Sequence, residues 1–283
     1  MDSKEDTIFT AIPLDARHAR SWLLVSASRP EDFDLADRCD ADAVILDLED
    51  GVVTAERSDA RRSVAEWLSG GGAAWVRINA ATTDDWSADV DALRGLPGLQ
   101  GVMLAKSESG QQVRDTAARL GGAVPVLALV ESARGIEFAY EIASEPATLR
   151  LAFGSGDFRR DTGAGAEPDA LAYARGRLVV ASGAAGIAAP IDGPTLADDH
   201  ETRIEALAVT RTMGMSGKLC MKAAHTGDVN RELSPTAADA AWADEVIDRL
   251  GVDGAGVRSG SDRPQLARAL TIRTRLDALR LSY

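Results

Sequence analysis

The sequence predicts an α/β chain closed into a (β/α)8 TIM barrel, with a C-terminal helical extension. Three observations predict it. Eight short apolar runs recur along the chain, separated by segments of helical periodicity. Most of these runs are continuously apolar and do not alternate, the mark of parallel strands covered on both faces. No glycine-rich dinucleotide fingerprint follows any of them, which weighs against the rival doubly wound open sheet. The 283 residues, 45% hydrophobic, suffice for one barrel-sized core. The expected divisions are an N-terminal tail over residues 1–19, the barrel over 20–233 and a helical or lid segment over 234–283.

Ser21–Ala27 opens the barrel with Trp22, Leu23, Leu24 and Val25, and Asp42–Glu49 follows on Val44, Ile45 and Leu46. A helix is expected over Glu56–Ser69, where Ala60, Val64 and Trp67 share a face and Arg57, Arg61 and Arg62 lie elsewhere. Ala74–Asn79 and Gly101–Lys106 are the next strands, and Gly110–Leu120 the next helix. Strand Pro125–Glu131 leads to helix Arg134–Ser144, and strand Leu149–Ser155 to helix Asp169–Ala185. Strands Ala188–Asp192 and Gly217–Lys222 complete the set around helix Glu201–Met213. The extension begins with helix Pro235–Leu250, for which Ser234 is a suitable N-cap and Pro235 a suitable first residue. It ends in Arg263–Leu281, after Asp262.

The formal net charge of -13 gives a surface that repels nucleic-acid phosphates and anionic membranes, so neither is an expected partner. Cys39 and Cys220 have no paired spacing and read as core thiols, which favours a reducing, cytoplasmic location. The start MDSKEDTIFT lacks the basic-then-apolar pattern of a signal peptide, and no apolar stretch is long enough to span a bilayer.

In such a barrel the active-site groups project from the C-terminal ends of the strands. Those ends carry Asp47, Glu49 and Asp50, then Arg77 and Asn79, Lys106, Glu131, Asp157, Asp192, and Lys222 with His225. Singly, each reads as a solvated charge or an ion-pair partner. Their convergence on one mouth points to chemistry, because crowded like charges repel and disturb each other's titration. Glu131 and Asp157 stand on adjacent strands beside small residues, and two carboxylates with water suit Mg2+. His18 and His200 lie away from the strand ends, which disfavours zinc. The same two acids would serve equally as partners of Arg77 and Lys106 with no metal. Arg77 offers a planar fork that matches a carboxylate, so beside a metal it suggests a substrate with a carboxylate next to a carbonyl or hydroxyl.

Seven segments resemble the citrate lyase β-subunit-like family, within the HpcH/HpaI aldolase/citrate lyase superfamily of phosphoenolpyruvate/pyruvate-type barrels. They are RSWLLVSASRPEDF (20–33), ADAVILDLEDGV (41–52), WVRINA (75–80), VMLAKSES (102–109), PVLALVESARGI (125–136), LAFGSGDF (151–158) and GKLCMKAAHTGDVN (217–230). The resemblance implies a Mg2+-dependent carbon–carbon lyase or synthase. Its substrate would be a CoA or acyl-carrier thioester of a 3-hydroxy acid, such as a citryl or malyl group. It implies Glu131 and Asp157 as metal ligands, Arg77 and Glu131 in contact with the oxo acid, and Glu49 and Asp50 holding the metal's waters and positioning the thioester. The implied reaction is a retro-Claisen or retro-aldol cleavage, and the implied assembly a homotrimer or a multiple of it.

Three departures bear on the chemistry. Ser26-Ala27-Ser28 stands where the family has Pro-Gly-Asp or Pro-Gly-Asn, and Lys222-Ala223 where it has His-Pro. The stretch before Asp262-Arg263-Pro264 lacks the family's acid/base Asp, and Asp253 is the nearest acid at a different spacing. Two further readings therefore stand beside the thioester lyase: a CoA-independent oxo-acid aldolase, and a non-catalytic homologue that binds an oxo acid and Mg2+. For a CoA tail, Arg17, Arg20, Arg29, Arg159 and Arg160 are the available cations.

Overall fold

The computed structural model describes residues 14–283, so most of the expected N-terminal tail, including the stretch read for a signal peptide, lies outside the described residues. The chain divides into two compact units, Ala19–Ser234 and a smaller one built on Pro235–Tyr283.

The larger unit is a closed barrel of eight parallel strands joined in chain order, as the unbroken apolar runs predict. The strands are β1 (Ser21–Ser26), β2 (Ala43–Asp47), β3 (Ala74–Ile78), β4 (Leu99–Leu104), β5 (Val126–Val130), β6 (Thr148–Phe153), β7 (Ile191–Asp192) and β8 (Gly217–Cys220). Every residue of β5 is buried, because one face of each strand packs into the barrel and the other under a helix. The helices around the barrel are α1 (Phe33–Asp37), α2 (Arg57–Ser69), α3 (Asp84–Leu93), α4 (Gly110–Arg119), α5 (Ala133–Glu137), α6 (Ala139–Ala143), α7 (Ser155–Thr162), α8 (Ala172–Ala185), α9 (His200–Thr212) and α10 (Thr226–Glu232). Strand β7 is shorter than the expected 188–192, and the helix expected over 134–144 breaks into α5 and α6 at Phe138.

The N-terminal end of the barrel is plugged by side chains. Arg150 is fully buried over the Trp22 ring. It donates to the carbonyls of Ala19 (2.7 Å) and Ala189 (2.8 Å) and to the Ser216 hydroxyl (2.9 Å), groups that precede β1, β7 and β8. Trp22 meets Trp75 edge to face at 5.4 Å. Cys220 is buried in β8, Cys39 is half-buried, and both are free thiols.

The smaller unit pairs α11 (Ala237–Leu250) with α12 (Asp262–Leu279) through Ala243, Val246, Leu250, Leu266 and Ala269. The N-cap of α11 is Thr236, in a capping box with Asp239, and not Ser234 as the sequence suggested. The Ser234 hydroxyl instead donates to the Asn230 carbonyl and accepts from Arg20 Nη1.

Candidate active site

The register of the sheet sets the C-terminal mouth. Asp47, the last residue of β2, lies beside Arg77 of β3. Arg77 Nε and Nη2 donate to the two Asp47 oxygens at 2.6 Å each. The backbone N–H groups of Glu49 and Gly51 donate to the same carboxylate at 2.9 and 2.8 Å. Gly51 is required for this closeness, since a Cβ there would lie 2.3 Å from Asp47 Oδ2. The first of the clustered acids is therefore a structural anchor. The Nε/Nη2 edge of Arg77, which the sequence offers to a substrate carboxylate, is engaged by Asp47. Nη1 lies 3.4 Å from Glu49 Oε2 at the mouth. Burial opposes the guanidinium charge, but Asp47, Glu49 and Glu131 outweigh it and raise the Arg77 pKa.

Lys106, beyond the end of β4, has a backbone φ of 50°. That left-handed conformation costs a non-glycine residue about 1–2 kcal/mol and concentrates at functional sites. The Lys106 backbone N–H donates to Glu131 Oε1 at 2.8 Å. Its ammonium donates to Glu49 Oε1 and lies 3.9 Å from Asp50 Oδ1 and 3.6 Å from Asp157 Oδ2. Burial works against this charge, yet the Glu49 hydrogen bond and the Glu49, Glu131 and Asp50 carboxylates raise its pKa. Lys106 is thus a protonated cation and not a neutral amine nucleophile. Burial also pushes the Glu49 carboxyl upward, with Arg77 and Lys106 opposing.

Glu131, at the end of β5, is 6% exposed. Burial drives its pKa up to about 8, and the charges of Glu49 and Asp157 add to the rise. Gly154 leaves the room it needs, since a Cβ there would lie 2.3 Å from Glu131 Oε2. Asp157 sits in the first turn of α7, past the strand end at which the sequence placed it. Its Oδ2 is buried, 2.9 Å from Arg160 Nη2 and 3.6 Å from Lys106 Nζ, yet accepts a well-directed hydrogen bond from neither. A buried carboxylate oxygen in that state fits an additional cation. Glu131 and Asp157 face an open pocket of about 390 Å³, which Lys106, Arg160 and Asp161 also line. Among the described residues, no three or more His, Cys, Asp or Glu side chains form a metal cage. A cation here would rest on two carboxylates and water, the habit of Mg2+ rather than of structural zinc.

Other strand-end charges have local partners. Asp192 is buried against Arg175 of α8 (2.9 Å), Thr210 of α9 (2.7 Å) and Lys218 of β8 (3.1 Å), which turns it toward the helix layer. Asn79 donates to the Leu48 carbonyl and to Asp89. Lys222 pairs with Asp198 on the exposed rim. Of the arginines considered for a CoA tail, Arg20 is held by Asp42, Asn230 and Ser234, Arg17 by Asp15, and Arg160 by Asp157. In the smaller unit, Asp253 accepts from the backbone N–H of Ala255. Asp262 accepts from the N–H groups of Arg258 and Ser259, which hold its carboxyl below the usual range. The sequence named Lys106 only as a strand-end ion-pair partner. Its left-handed backbone and central position have no linear signature.

The HpcH/HpaI aldolase/citrate lyase family matches residues 20–223, and the HpcH/HpaI aldolase C-terminal domain matches residues 238–280. The chain is 32% identical over 273 residues to a citrate lyase subunit beta-like protein of Deinococcus radiodurans, covering 89% of this chain and 95% of that one. It is 28% identical over 289 residues to the L-malyl-CoA/beta-methylmalyl-CoA lyase of Rhodobacter capsulatus, covering 87% of this chain and 90% of the lyase. A crystal structure of protein CitE from Mycobacterium tuberculosis, in complex with magnesium, acetoacetate and coenzyme A, superposes with a TM-score of 0.75 at 30% identity, covering 92% of this chain and 99% of that one. No helix among the described residues is long and apolar enough to cross a membrane. On the matched segments, the closed barrel and the two C-terminal helices, the chain belongs to the HpcH/HpaI aldolase/citrate lyase family.

Proposed function

We propose that the protein is a Mg2+-dependent carbon–carbon lyase that cleaves, or in reverse forms, a short 3-hydroxyacyl-CoA thioester of the citryl-CoA or malyl-CoA type. The observation that carries this reading is the pair Glu131 and Asp157. Both face one open pocket, one is driven toward protonation by burial, and the other has a buried oxygen without a hydrogen bond. The magnesium, acetoacetate and coenzyme A bound by CitE support the choice of cation and substrate class.

Glu131 and Asp157 would hold the cation, which when bound supplies positive charge to the oxygens of the reacting centre. Arg77, fixed through Asp47, presents Nη1 toward the oxo-acid end of the substrate, with Glu131 beside it. Glu49 and Asp50 line the same mouth and would hold water and position the thioester. In the cleavage direction the 3-hydroxyl loses its proton to a base and becomes a carbonyl, and the bond between C3 and C2 breaks. Its electron pair passes to the thioester carbonyl, and C2 then takes up a proton to leave an acyl-CoA. Proton transfer of this kind contributes about 10²–10⁴ in rate. The protonated state of Lys106 favours this route over an imine-forming aldolase.

A panel of citryl-, malyl- and other 3-hydroxyacyl-CoA thioesters tests the reading. Cleavage of at least one member is expected with Mg2+, and its loss with EDTA or in Glu131→Gln. No turnover by the folded, Mg2+-bound protein would contradict it.

The Ser26–Ser28 turn favours a second reading, an oxo-acid aldolase without CoA. Ser26 Oγ donates to the Gly51 carbonyl at 2.5 Å, and Ser28 Oγ to Glu56 at 2.9 Å, so the turn is closed by its own hydroxyls. Product from pyruvate and an aldehyde, with none from the thioesters, would decide for it. The proposed assembly is the homotrimer, or a multiple of it, that the family resemblance implies.

A further inference from the structure

The chain accepts a strained backbone at Lys106, and the residue touches both acids assigned above to the cation: its N–H binds Glu131 and its ammonium approaches Asp157. We propose that Lys106 is a tethered counter-cation that holds the acid pocket together in the absence of a divalent ion and yields Asp157 when Mg2+ enters, so that Mg2+ affinity is set by competition with this lysine. The inference rests on the metal reading of Glu131 and Asp157 and adds a positioning residue to it.

The charge balance requires such a group. Asp47 is satisfied by Arg77, whose Nη1 also lies 3.4 Å from Glu49 Oε2, and Arg160 lies 2.9 Å from Asp157 at the rim; Lys106 is the cation whose ammonium reaches Glu49, Asp50 and Asp157 together, while its N–H holds Glu131. Without Lys106 these acids would repel one another, as crowded carboxylates do. With Mg2+ at Asp157, an ammonium 3.6 Å from the same oxygen would repel the ion. At the effective dielectric of such sites, repulsion over that range corresponds to more than about tenfold in affinity. The ammonium can withdraw. Lysine is a point charge on a flexible stem, and this side chain is 36% exposed. The backbone N–H stays on Glu131 meanwhile, so one ligand remains fixed while the other is exchanged.

Calorimetric titration with Mg2+ alone at about pH 8, together with thermal melts in EDTA, tests the proposal on wild type, Lys106→Met and Lys106→Arg. The Met variant is expected to bind Mg2+ at least about tenfold more tightly than wild type. It should also melt lower in EDTA and regain the wild-type Tm at saturating Mg2+. The Arg variant keeps the charge and should stay close to wild type in Kd. An unchanged or weaker Kd in the Met variant, or an Arg variant as tight as the Met one, would overturn the proposal. Should the Met variant fail to fold in EDTA, recovery of its fold on adding Mg2+ supports the proposal and failure to recover overturns it. A wild-type protein that binds no Mg2+ would overturn the metal reading, and this exchange with it.

Discussion

In the proposed site, Glu131 couples cation binding to pH. Its folded pKa of about 8 exceeds the ordinary value of 4.5 because burial disfavours the charged form. The folded protein therefore keeps a proton that the unfolded chain releases. Without a cation, this group's contribution to stability is intact below pH 4.5 and is lost as the pH rises to about 8. A divalent ion binds the ionised form and offsets the loss. The rise in Tm on adding Mg2+ is thus expected to grow between about pH 6 and about pH 8 and to level off above. A Mg2+-induced rise that is constant across that range would remove Glu131 from the ligand set. Asp47 makes a contrasting prediction. Asp47→Ala would leave Arg77 without its bidentate partner and two backbone N–H groups without an acceptor. Breaking a buried pair from one side costs about 3–5 kcal/mol, measurable by urea denaturation. A loss below about 1 kcal/mol would contradict the anchoring role.

At the scale of elements, the barrel brings Glu131 and Asp157 together through the turn between β6 and α7. Gly154→Ala would drive a Cβ to 2.3 Å from Glu131 Oε2. A loss of about tenfold or more in Mg2+ affinity is expected, since displaced support around a ligand typically costs about 10–100-fold. Wild-type affinity in this variant would show that the turn does not shape the site. Most strands were legible because they are short apolar runs, several of them followed by charge, and the acids at the mouth were legible with them. Helix α3 was not. Its sequence DDWSADVDAL shows only Trp86, Val90 and Leu93 against several acids. One of those acids, Asp89, is buried through Arg61 of α2, a pairing that no local pattern announces. Asp192 ends β7 as expected, but it faces the helix layer and not the mouth, because its partners include Arg175 and Thr210 from separate helices. The pairing of Asp47 with Arg77 depends on register between strands, which composition does not specify.

At the scale of the whole molecule, the two ends of the barrel divide labour. The C-terminal mouth gathers the charged groups of the proposed site, and the N-terminal end is closed around Arg150. Arg150→Ala would strip donors from the Ala19 and Ala189 carbonyls and open a void under Trp22. A loss of about 3 kcal/mol or more is expected, with Mg2+ affinity unchanged in the folded fraction. A changed affinity would show that the ends are not independent. The proposed homotrimer, or a multiple of it, is expected in sedimentation velocity, and a wild-type monomer would contradict it. A crystal soaked with Mn2+ and oxaloacetate, read by anomalous diffraction, is predicted to show one ion bound by the carboxylates of Glu131 and Asp157, with Lys106 Nζ withdrawn from Asp157. An ion held elsewhere in the barrel, or Glu131 and Asp157 bridged only by Lys106 and Arg160 in saturating metal, would contradict it.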